Sequence, residues 1–409
     1  MIQKFMESGY DIVDFEEIAD IYIINTCTVT NMSDKKSRQM IRRAKQRNDD
    51  AVIVAVGCYV QVSKKEVEKI DEIDLALGTS EKNDIVSLVE KYIVSRNNKY
   101  DISDVMKQKQ YIDFGDITYT EKTRGVIKVQ DGCDRFCSYC IIPFARGRVR
   151  SREIYSVVNE VTDLANNGVK EVVITGIHVA SYGKDLKEDI SLIDLLEEIN
   201  KVDGIERIRL GSLEPTIITD EFVHRLKKLE KICHHFHLSL QSACNETLKR
   251  MNRRYSIEEF MECIERLRNA YTDVVLTTDI IVGFPGETDE EFEITYNNLK
   301  KIKFYMLHVF KYSKRKGTKA AEMENQLPNN IKEQRSKRLI ELSNKSQKEF
   351  NKKYIGKNVK VLWEQKECGK MKGHTSNYIV VYTENENAVE DEIQGINISD
   401  TYQDGIIGQ

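Results

Sequence analysis

The chain has 409 residues, 40% of them hydrophobic and 31% charged, with a formal net charge of -4. That length predicts two or three domains and an ample core, and that balance excludes a disordered chain or a nucleic-acid binder acting through overall charge. No run reaches the roughly 18 apolar residues of a membrane span, and nine cysteines with no signal peptide ahead of them predict reduced thiols in a cytoplasm.

Residues 1–96 alternate helix and strand. Ile2, Phe5, Met6 and Tyr10 fall at helical spacing, and Gly9 is placed to stop that helix. Short apolar runs follow at Ile21–Ile24, Ala51–Val56 and Leu75–Leu77, with helical segments between them, so a small parallel α/β sheet is expected. Residues 97–122 lose the pattern and read as a linker. A second α/β pattern spans 123–354. Its strand candidates are Val126–Val129, Val172–Thr175, Ile205–Leu210, Phe236–Leu240, Val274–Val282 and Tyr305–Phe310. Capping boxes open two of its helices, at Ser256 to Glu259 and at Thr288 to Glu291. Six βα units predict a partial (βα)6 barrel with its functional groups at the C-terminal ends of the strands. A charged helix fills 330–354. From Ile355 to Gln409, runs such as Val359–Trp363 and Tyr378–Tyr382 alternate with polar turns, so a small all-β module is expected.

The run DGCDRFCSYC carries Cys133, Cys137 and Cys140 just beyond the first barrel strand. Three close thiolates without a fourth suit an iron–sulfur cluster with one iron left open to a substrate or cofactor. A zinc knuckle is the structural alternative, but it needs a fourth ligand, and His178 is the only nearby candidate. Cys27, in INTCTVTN, and Cys58, in VGCY, each follow a strand of the first sheet. Ligands gather at that edge of an open α/β sheet, although free cysteine is also a common core residue. Cys233, Cys244, Cys263 and Cys368 read as core or incidental residues.

The triplet resembles the signature of the radical SAM enzymes. With INTCTVTN, VGCY, CIIPFARG and the closing β module, the whole chain resembles the methylthiotransferases of that superfamily. The resemblance implies two 4Fe–4S clusters and S-adenosylmethionine. Cys133, Cys137 and Cys140 would hold the cluster whose open iron chelates S-adenosylmethionine and splits it to a 5′-deoxyadenosyl radical. Cys27 and Cys58 would match the second and third ligands of an auxiliary, sulfur-carrying cluster. The family's first ligand follows an opening strand that is missing before the first helix here, so an N-terminal truncation is expected. Gly283, Pro285 and Gly286 resemble the segment against the cofactor's adenine. Thr175, Gly176, His178, Glu214, Gln241 and Ser242 end strands and are further cofactor candidates, each with an equally good reading as a structural rim residue.

The motifs look most like the branch that adds a methylthio group to carbon 2 of N6-threonylcarbamoyladenosine beside the tRNA anticodon. The isopentenyladenosine branch and the ribosomal-protein aspartate branch are the alternatives. An iron–sulfur binding or electron-transfer protein that does not cleave S-adenosylmethionine is an alternative of another class. No catalytic group beyond the cluster ligands is identified. For RNA, Lys35, Lys36, Arg38, Arg42, Arg43, Lys45 and Arg47 crowd one helix with only Asp34 to offset them. A solvated helix face is the usual reason for such a run, yet this one-sidedness suits phosphate. Arg146, Arg148, Arg150 and Arg152 follow the triplet and are expected to grip substrate at its mouth, and Lys311, Lys314, Arg315 and Lys316 form another basic patch after the last barrel strand. The closing module resembles a TRAM domain, but its five Lys against nine Asp and Glu leave Tyr378, Lys370, Lys372 and His374 as its RNA contacts. The partners implied are tRNA and an electron donor such as flavodoxin or ferredoxin, with no membrane and a monomeric, cytoplasmic enzyme.

Overall fold

The computed structural model describes residues 1–409 apart from 98–99, 114, 116–122 and 188. Part of the expected linker over 97–122 therefore lies outside the described residues. Contacts divide the chain into two compact units. One joins Met1–Phe114 to Asp131–Arg150 and Ser313–Glu322, and the other holds Gly115–Gln130, Ser151–Tyr312 and Met323–Gln409.

In the first unit, strands β1 (Ile21–Thr26), β2 (Val52–Gly57), β3 (Leu75–Leu77) and β4 (Tyr100–Asp101) form a parallel sheet in that order. β4 comes from the stretch read as linker. Every residue of β2 is buried, which is why it reads as an unbroken apolar run rather than an alternating one. One face of the sheet packs Ile53 and Ala55 with Ile41 and Ala44 of the helix Asn31–Arg47. The other face packs Val54 and Val56 with Phe5, Ile85 and Val89. Thr30 caps the helix Asn31–Arg47 by accepting from the Ser33 N–H at 3.1 Å.

The second unit carries β5 (Arg124–Asp131) as far as Gln130, β6 (Arg150–Ser151) from Ser151, β7 (Glu171–Gly176), β8 (Arg207–Leu210), β9 (His235–His237), β10 (Val275–Val282) and β11 (Met306–Lys311). They lie in two sheets, ordered β6-β5-β7-β8 and β11-β10-β9. Parallel bridges Ile208↔Ile232 and Leu213↔Leu238 link the β8 side to the β9 side. Six parallel strands in chain order thus make the expected partial barrel. Both capping boxes form, at Ser256 with Glu259 and at Thr288 with Glu291. The helix Ile257–Ala270 buries Ile257, Phe260, Ile264 and Leu267 against the barrel, the helical stripe that its sequence spells out.

The chain ends in a closed barrel, β12 (Asn358–Glu367), β13 (Lys370–Thr375), β14 (Val380–Thr383), β15 (Ile393–Tyr402) and β16 (Gly405–Gly408), in the order β12-β13-β14-β16-β15. Val361, Trp363, Val381, Ile396 and Ile406 fill it. The strand expected from Tyr378 starts two residues later, because Tyr378 takes a left-handed φ of 70° in the preceding turn. Its ring stacks between His235 (4.9 Å) and His374 (4.6 Å), with the Arg209 guanidinium 4.6 Å from its centroid. Lys370 pairs with Glu384, Lys372 with Glu367, and His374 with Glu364. The four residues expected to meet RNA thus already have partners within the protein, three of them in ion pairs. Tyr378 stays 38% exposed, with two imidazoles and a guanidinium against its ring.

Candidate active site

The cysteine loop is built by two glycines. β5 ends at Asp131, and Gly132 turns the chain at φ 74°. A Cβ there would land on the Arg148 carbonyl, and one at Gly147 (φ 76°) would strike the Val105 carbonyl. Between them the Cys133 N–H donates to the Gly147 carbonyl at 3.0 Å, closing the neck of the loop. Asp131 accepts from the Gly132 N–H at 2.9 Å and lies 3.5 Å from Arg146 and 3.6 Å from Arg150. Inside the loop the Cys140 N–H donates to the Cys137 carbonyl at 3.0 Å, and the Arg135 N–H points at the Cys133 sulfur at 3.5 Å. Cys133 and Cys137 are buried and Cys140 is half-buried.

This donor set fits a cluster. The thiols sit on a constrained loop, Cys133 already receives a backbone N–H, and burial keeps water from two of the three sulfurs. Among the described residues no three His, Cys, Asp or Glu side chains converge as ligands of a single ion would. Cluster ligands each hold a different iron and need no such common point. Gly132→Ala is expected to cost more than about 1 kcal/mol, because alanine resists the left-handed turn and its Cβ meets backbone. Iron bound after anaerobic reconstitution should fall with it. Iron retention equal to the parent protein would show that the neck does not build the site.

Cys27 and Cys58 come together through strand register. Thr26 pairs with Gly57, so the residues that follow, Cys27 and Cys58, leave adjacent parallel strands side by side. Gly57 has φ 115°, and a Cβ on it would come within 2.8 Å of the Thr26 carbonyl. That close approach requires glycine just before Cys58. Arg146, from the cysteine loop, reaches this pair. Burial works against its charge, but the Asp131 carboxylate, then the Cys58 and Cys27 thiols, hold its pKa above the ordinary guanidinium value. Both cysteine sets belong to one compact unit, and Arg146, which follows the triplet in sequence, reaches the Cys27 and Cys58 pair.

The strand-end candidates gather in the second unit. Thr175 and Gly176 close β7, and a Cβ on Gly176 would meet the Gln130 carbonyl at 2.9 Å. The His178 N–H donates to Gln130 Oε1 at 2.7 Å, and His178 Nε2 lies 3.2 Å from the buried Glu214 carboxylate. Arg253 stands 3.6 Å from the other Glu214 oxygen. Gln241, at a left-handed φ of 71°, bridges to β10 by donating its N–H to the Asp279 carbonyl at 2.9 Å. Ser242 Oγ is 3.4 Å from Thr295 Oγ1 and accepts from the Cys244 N–H at 3.3 Å.

Gly283 and Gly286 hold φ values of 70° and 75° on either side of Phe284 and Pro285. The turn is shaped from the helix Asn329–Asn351. Arg335 donates to Glu287 Oε1 at 2.5 Å, Glu287 accepts from the Gly283 N–H at 3.2 Å, and the Lys332 stem fills the space a Cβ on Gly283 would need. Arg253, Arg335 and Lys332 were not foreseen, since nothing local in their sequence tells them from surface cations. Nor were His237 and Asp279, 3.3 Å apart on β9 and β10, whose one signal is a polar side chain within an apolar strand run.

The basic helix is less one-sided than its sequence. Arg43 meets Glu16 at 2.5 Å, Arg47 pairs with the same carboxylate, Arg42 lies 3.5 Å from Glu72 and Lys45 3.8 Å from Asp49. Lys35 and Lys36 remain exposed, and Arg38 donates to the Tyr59 hydroxyl at 3.1 Å. Arg148 pairs with Asp134 at 3.2 Å and stacks on Phe136. Arg150 is buried against Asp131, and Arg152 is buried against Glu160, so neither reaches substrate at a mouth, contrary to expectation. Arg315 is likewise internal, 2.7 Å from Asp34.

Residues 127–299 match the family model of the Radical SAM superfamily, and residues 1–78 that of Uncharacterized protein family UPF0004. The chain is 43% identical to the threonylcarbamoyladenosine tRNA methylthiotransferase MtaB of Bacillus subtilis (strain 168), over 93% of its own length and 85% of the relative's. It is 35% identical to the tRNA-2-methylthio-N(6)-dimethylallyladenosine synthase of Alkaliphilus oremlandii, over 93% of its own length and 83% of that relative's. Among solved structures it is similar in fold to the radical S-adenosylmethionine methyltransferase TsrM of Kitasatospora setae, with TM-score 0.57 and 16% identity. That likeness covers 75% of this chain and 64% of TsrM, just under two thirds of the latter.

Proposed function

This chain belongs to the methylthiotransferase family of radical SAM enzymes, and on that premise we propose that it adds a methylthio group to carbon 2 of N6-threonylcarbamoyladenosine in tRNA. The observation that carries the choice of base is the near full-length likeness to the threonylcarbamoyladenosine enzyme of Bacillus subtilis. It exceeds the likeness to the dimethylallyladenosine synthase, 43% against 35%.

Family membership brings S-adenosylmethionine and a 4Fe–4S cluster, which Cys133, Cys137 and Cys140 would hold. When bound, they supply a radical able to take hydrogen from an unactivated C–H bond. We assign Cys27 and Cys58 to a second, sulfur-carrying cluster. The rest of the work belongs to the protein's own groups. The glycine neck fixes the loop, and the Gly283–Gly286 turn offers bare backbone to the cofactor's adenine. Thr175, Gly176, His178, Glu214, Gln241 and Ser242 line the strand ends where its polar groups would lie. His178 and Arg253 hold the Glu214 carboxylate in place, so its position is set before any ligand arrives. Arg146 offers a fixed positive charge beside Cys58 and Cys27, suited to holding their thiolates. The closing barrel is assigned as TRAM-like. An external one-electron donor such as flavodoxin or ferredoxin, and a monomer acting in the cytoplasm, complete the reading. Among the described residues no helix is long and apolar enough to cross a membrane.

Nucleosides from tRNA of a strain lacking this chain decide the matter by mass spectrometry. The expected result is loss of 2-methylthio-N6-threonylcarbamoyladenosine with its unthiolated precursor accumulating, restored by the intact gene. Loss of the isopentenyladenosine derivative instead would move the enzyme to the other branch.

A further inference from the structure

The first unit contains a cavity of about 670 Å3 that the reaction described above does not use. Its walls are the N-terminal half of the helix Asn31–Arg47, the segment Gln61–Glu66, the stretch Ile141–Phe144 directly after Cys140, and Arg315–Gly317. That volume suits one nucleotide, being within the range of small-ligand sites.

Three features of the lining point the same way. First, its charge is positive. Arg38, Lys64, Lys65 and Lys316 face only Glu66, because the Asp34 carboxylate is taken up by Arg315 at 2.7 Å. Lys64, Lys65 and Lys316 are exposed and have no ion-pair partner among the described residues, unlike the four cations at the other end of the basic helix. Second, the wall carries an exposed aromatic ring. Phe144 is 46% exposed and is braced edge-on by Phe136, centroids 5.9 Å apart. Burying that much of a phenylalanine elsewhere would stabilise the fold, so its place at a cationic rim calls for a partner with both a flat face and negative charge. Third, the cavity opens on the residues that follow the last cysteine of the loop. Cations interleaved with an aromatic platform are how proteins hold unstacked nucleotides.

We propose that this cavity receives a single-stranded nucleotide of the substrate RNA next to the one being modified, its base on Phe144 and its phosphates among Lys64, Lys65, Arg38 and Lys316. The inference rests on the tRNA reading and goes beyond it by assigning the residues that grip the loop. They are not the cations of highest density in the sequence. Arg42, Arg43 and Arg47 are spent on Glu72 and Glu16.

The test is fluorescence anisotropy with a fluorescein-labelled anticodon stem–loop hairpin carrying N6-threonylcarbamoyladenosine, titrated with intact protein over a range of NaCl concentrations. Lys64→Glu with Lys65→Glu should weaken binding by about tenfold or more at low salt and flatten the slope of log affinity against log salt by about 1.4, the loss of two single-strand phosphate contacts. Phe144→Ala should weaken binding about tenfold with the slope unchanged, as the loss of one stacked base would. Lys227→Glu with Lys228→Glu, exposed charges of the second unit, should leave both quantities as they are. Parental affinity and slope in the Lys64/Lys65 variant, while the parent protein binds the hairpin, would overturn the cavity assignment and leave the tRNA reading standing. A parent protein that neither binds the hairpin nor methylthiolates it would overturn both. Should Phe144→Ala fail to fold by circular dichroism, the lysine variant alone decides, since both of its side chains project into solvent.

Discussion

Alanine at Cys133, Cys137 or Cys140 is expected to abolish reductive cleavage of S-adenosylmethionine, whereas alanine at Cys27 or Cys58 should leave that cleavage intact and stop methylthio transfer alone. The separation follows from the two placements. The triplet hangs on a loop closed by its own neck, the Cys133 N–H to the Gly147 carbonyl. The pair sits on the ends of β1 and β2, held by register. Each set is placed by its own local backbone, although Arg146 of the loop reaches the pair. Loss of an outer partner of a metal ligand already costs about 10- to 100-fold in affinity or activity, so loss of a ligand should exceed the upper end of that range.

The measurements are 5′-deoxyadenosine release by the reduced, anaerobically reconstituted protein, methylthio nucleoside formed on tRNA, and bound iron. A triplet variant should lose both products and the iron that its three cysteines hold. A Cys58→Ala protein should release 5′-deoxyadenosine at the parental rate and form no methylthio product. Two outcomes would sink the assignment. If Cys58→Ala ends S-adenosylmethionine cleavage in a protein that still folds, the two sets are not independent. If the parent protein, loaded with iron, releases no 5′-deoxyadenosine, the chain is an iron–sulfur or electron-transfer protein of the other class.

What was legible in the sequence was whatever depends on neighbours along the chain. The parallel strands followed from apolar runs spaced by helices, and the capping boxes at Ser256 and Thr288 from four-residue patterns. The position of Cys27 and Cys58 beyond strand ends followed from the same runs. What escaped was set by partners far away in sequence. Nothing near Arg43 and Arg47 announces that Glu16 will take both, so a helix that reads as uniformly basic is largely neutralised in its second half. Tyr378 reads as the start of a strand, and the fold instead places it in the preceding turn with His235 and His374 stacked on its ring. The contact of the neck glycines with Arg148 and Val105 is equally non-local. A glycine alone reports that the backbone is free to turn, not what it must make room for.

Removing the Glu171 carboxylate is expected to destabilise the second unit more than any other single surface or rim change, and to do so without weakening S-adenosylmethionine binding. Glu171 opens β7 and is fully buried. Three guanidiniums surround it: Arg209 at 2.6 Å, Arg124 at 2.7 Å and Arg207 at 3.6 Å. These arginines also tie the barrel to the closing β module. Arg124 grips Glu364 in a two-pronged contact at 2.7 and 3.1 Å, Arg207 donates to the carbonyls of His374 and Lys360, and Arg209 donates to that of Ser376, all three at 3.0 Å. Burial disfavours the Glu171 charge, but Arg209, then Arg124 and Arg207, outweigh it and hold the carboxyl down to about 2. Arg207 shows the limit of the arrangement. Its contact is the longest, and burial prevails to lower its pKa where Arg124 and Arg209 are raised.

With Glu171→Ala, Arg124 keeps Glu364 while the buried Arg207 and Arg209 lose their carboxylate, and breaking such a set by deleting one partner costs about 3–5 kcal/mol. Urea unfolding at neutral pH should show that loss, and Glu171→Gln should show most of it, since shape is kept and charge is not. The sign with pH is fixed. A carboxyl with a depressed folded-state pKa stabilises above its unfolded value of 4.5 and gives up that stability as pH falls toward about 2. The gap between the parent protein and Glu171→Gln should therefore be widest at neutral pH and close progressively below 4.5. A gap that stays constant through that window would mean that the carboxylate charge is not what holds the module. Thr175 and Gly176, the cofactor candidates, lie at the opposite end of the same strand. The expected signature is thus a large fall in stability with unchanged affinity for S-adenosylmethionine, because the clamp stabilises the barrel from the end away from its chemistry.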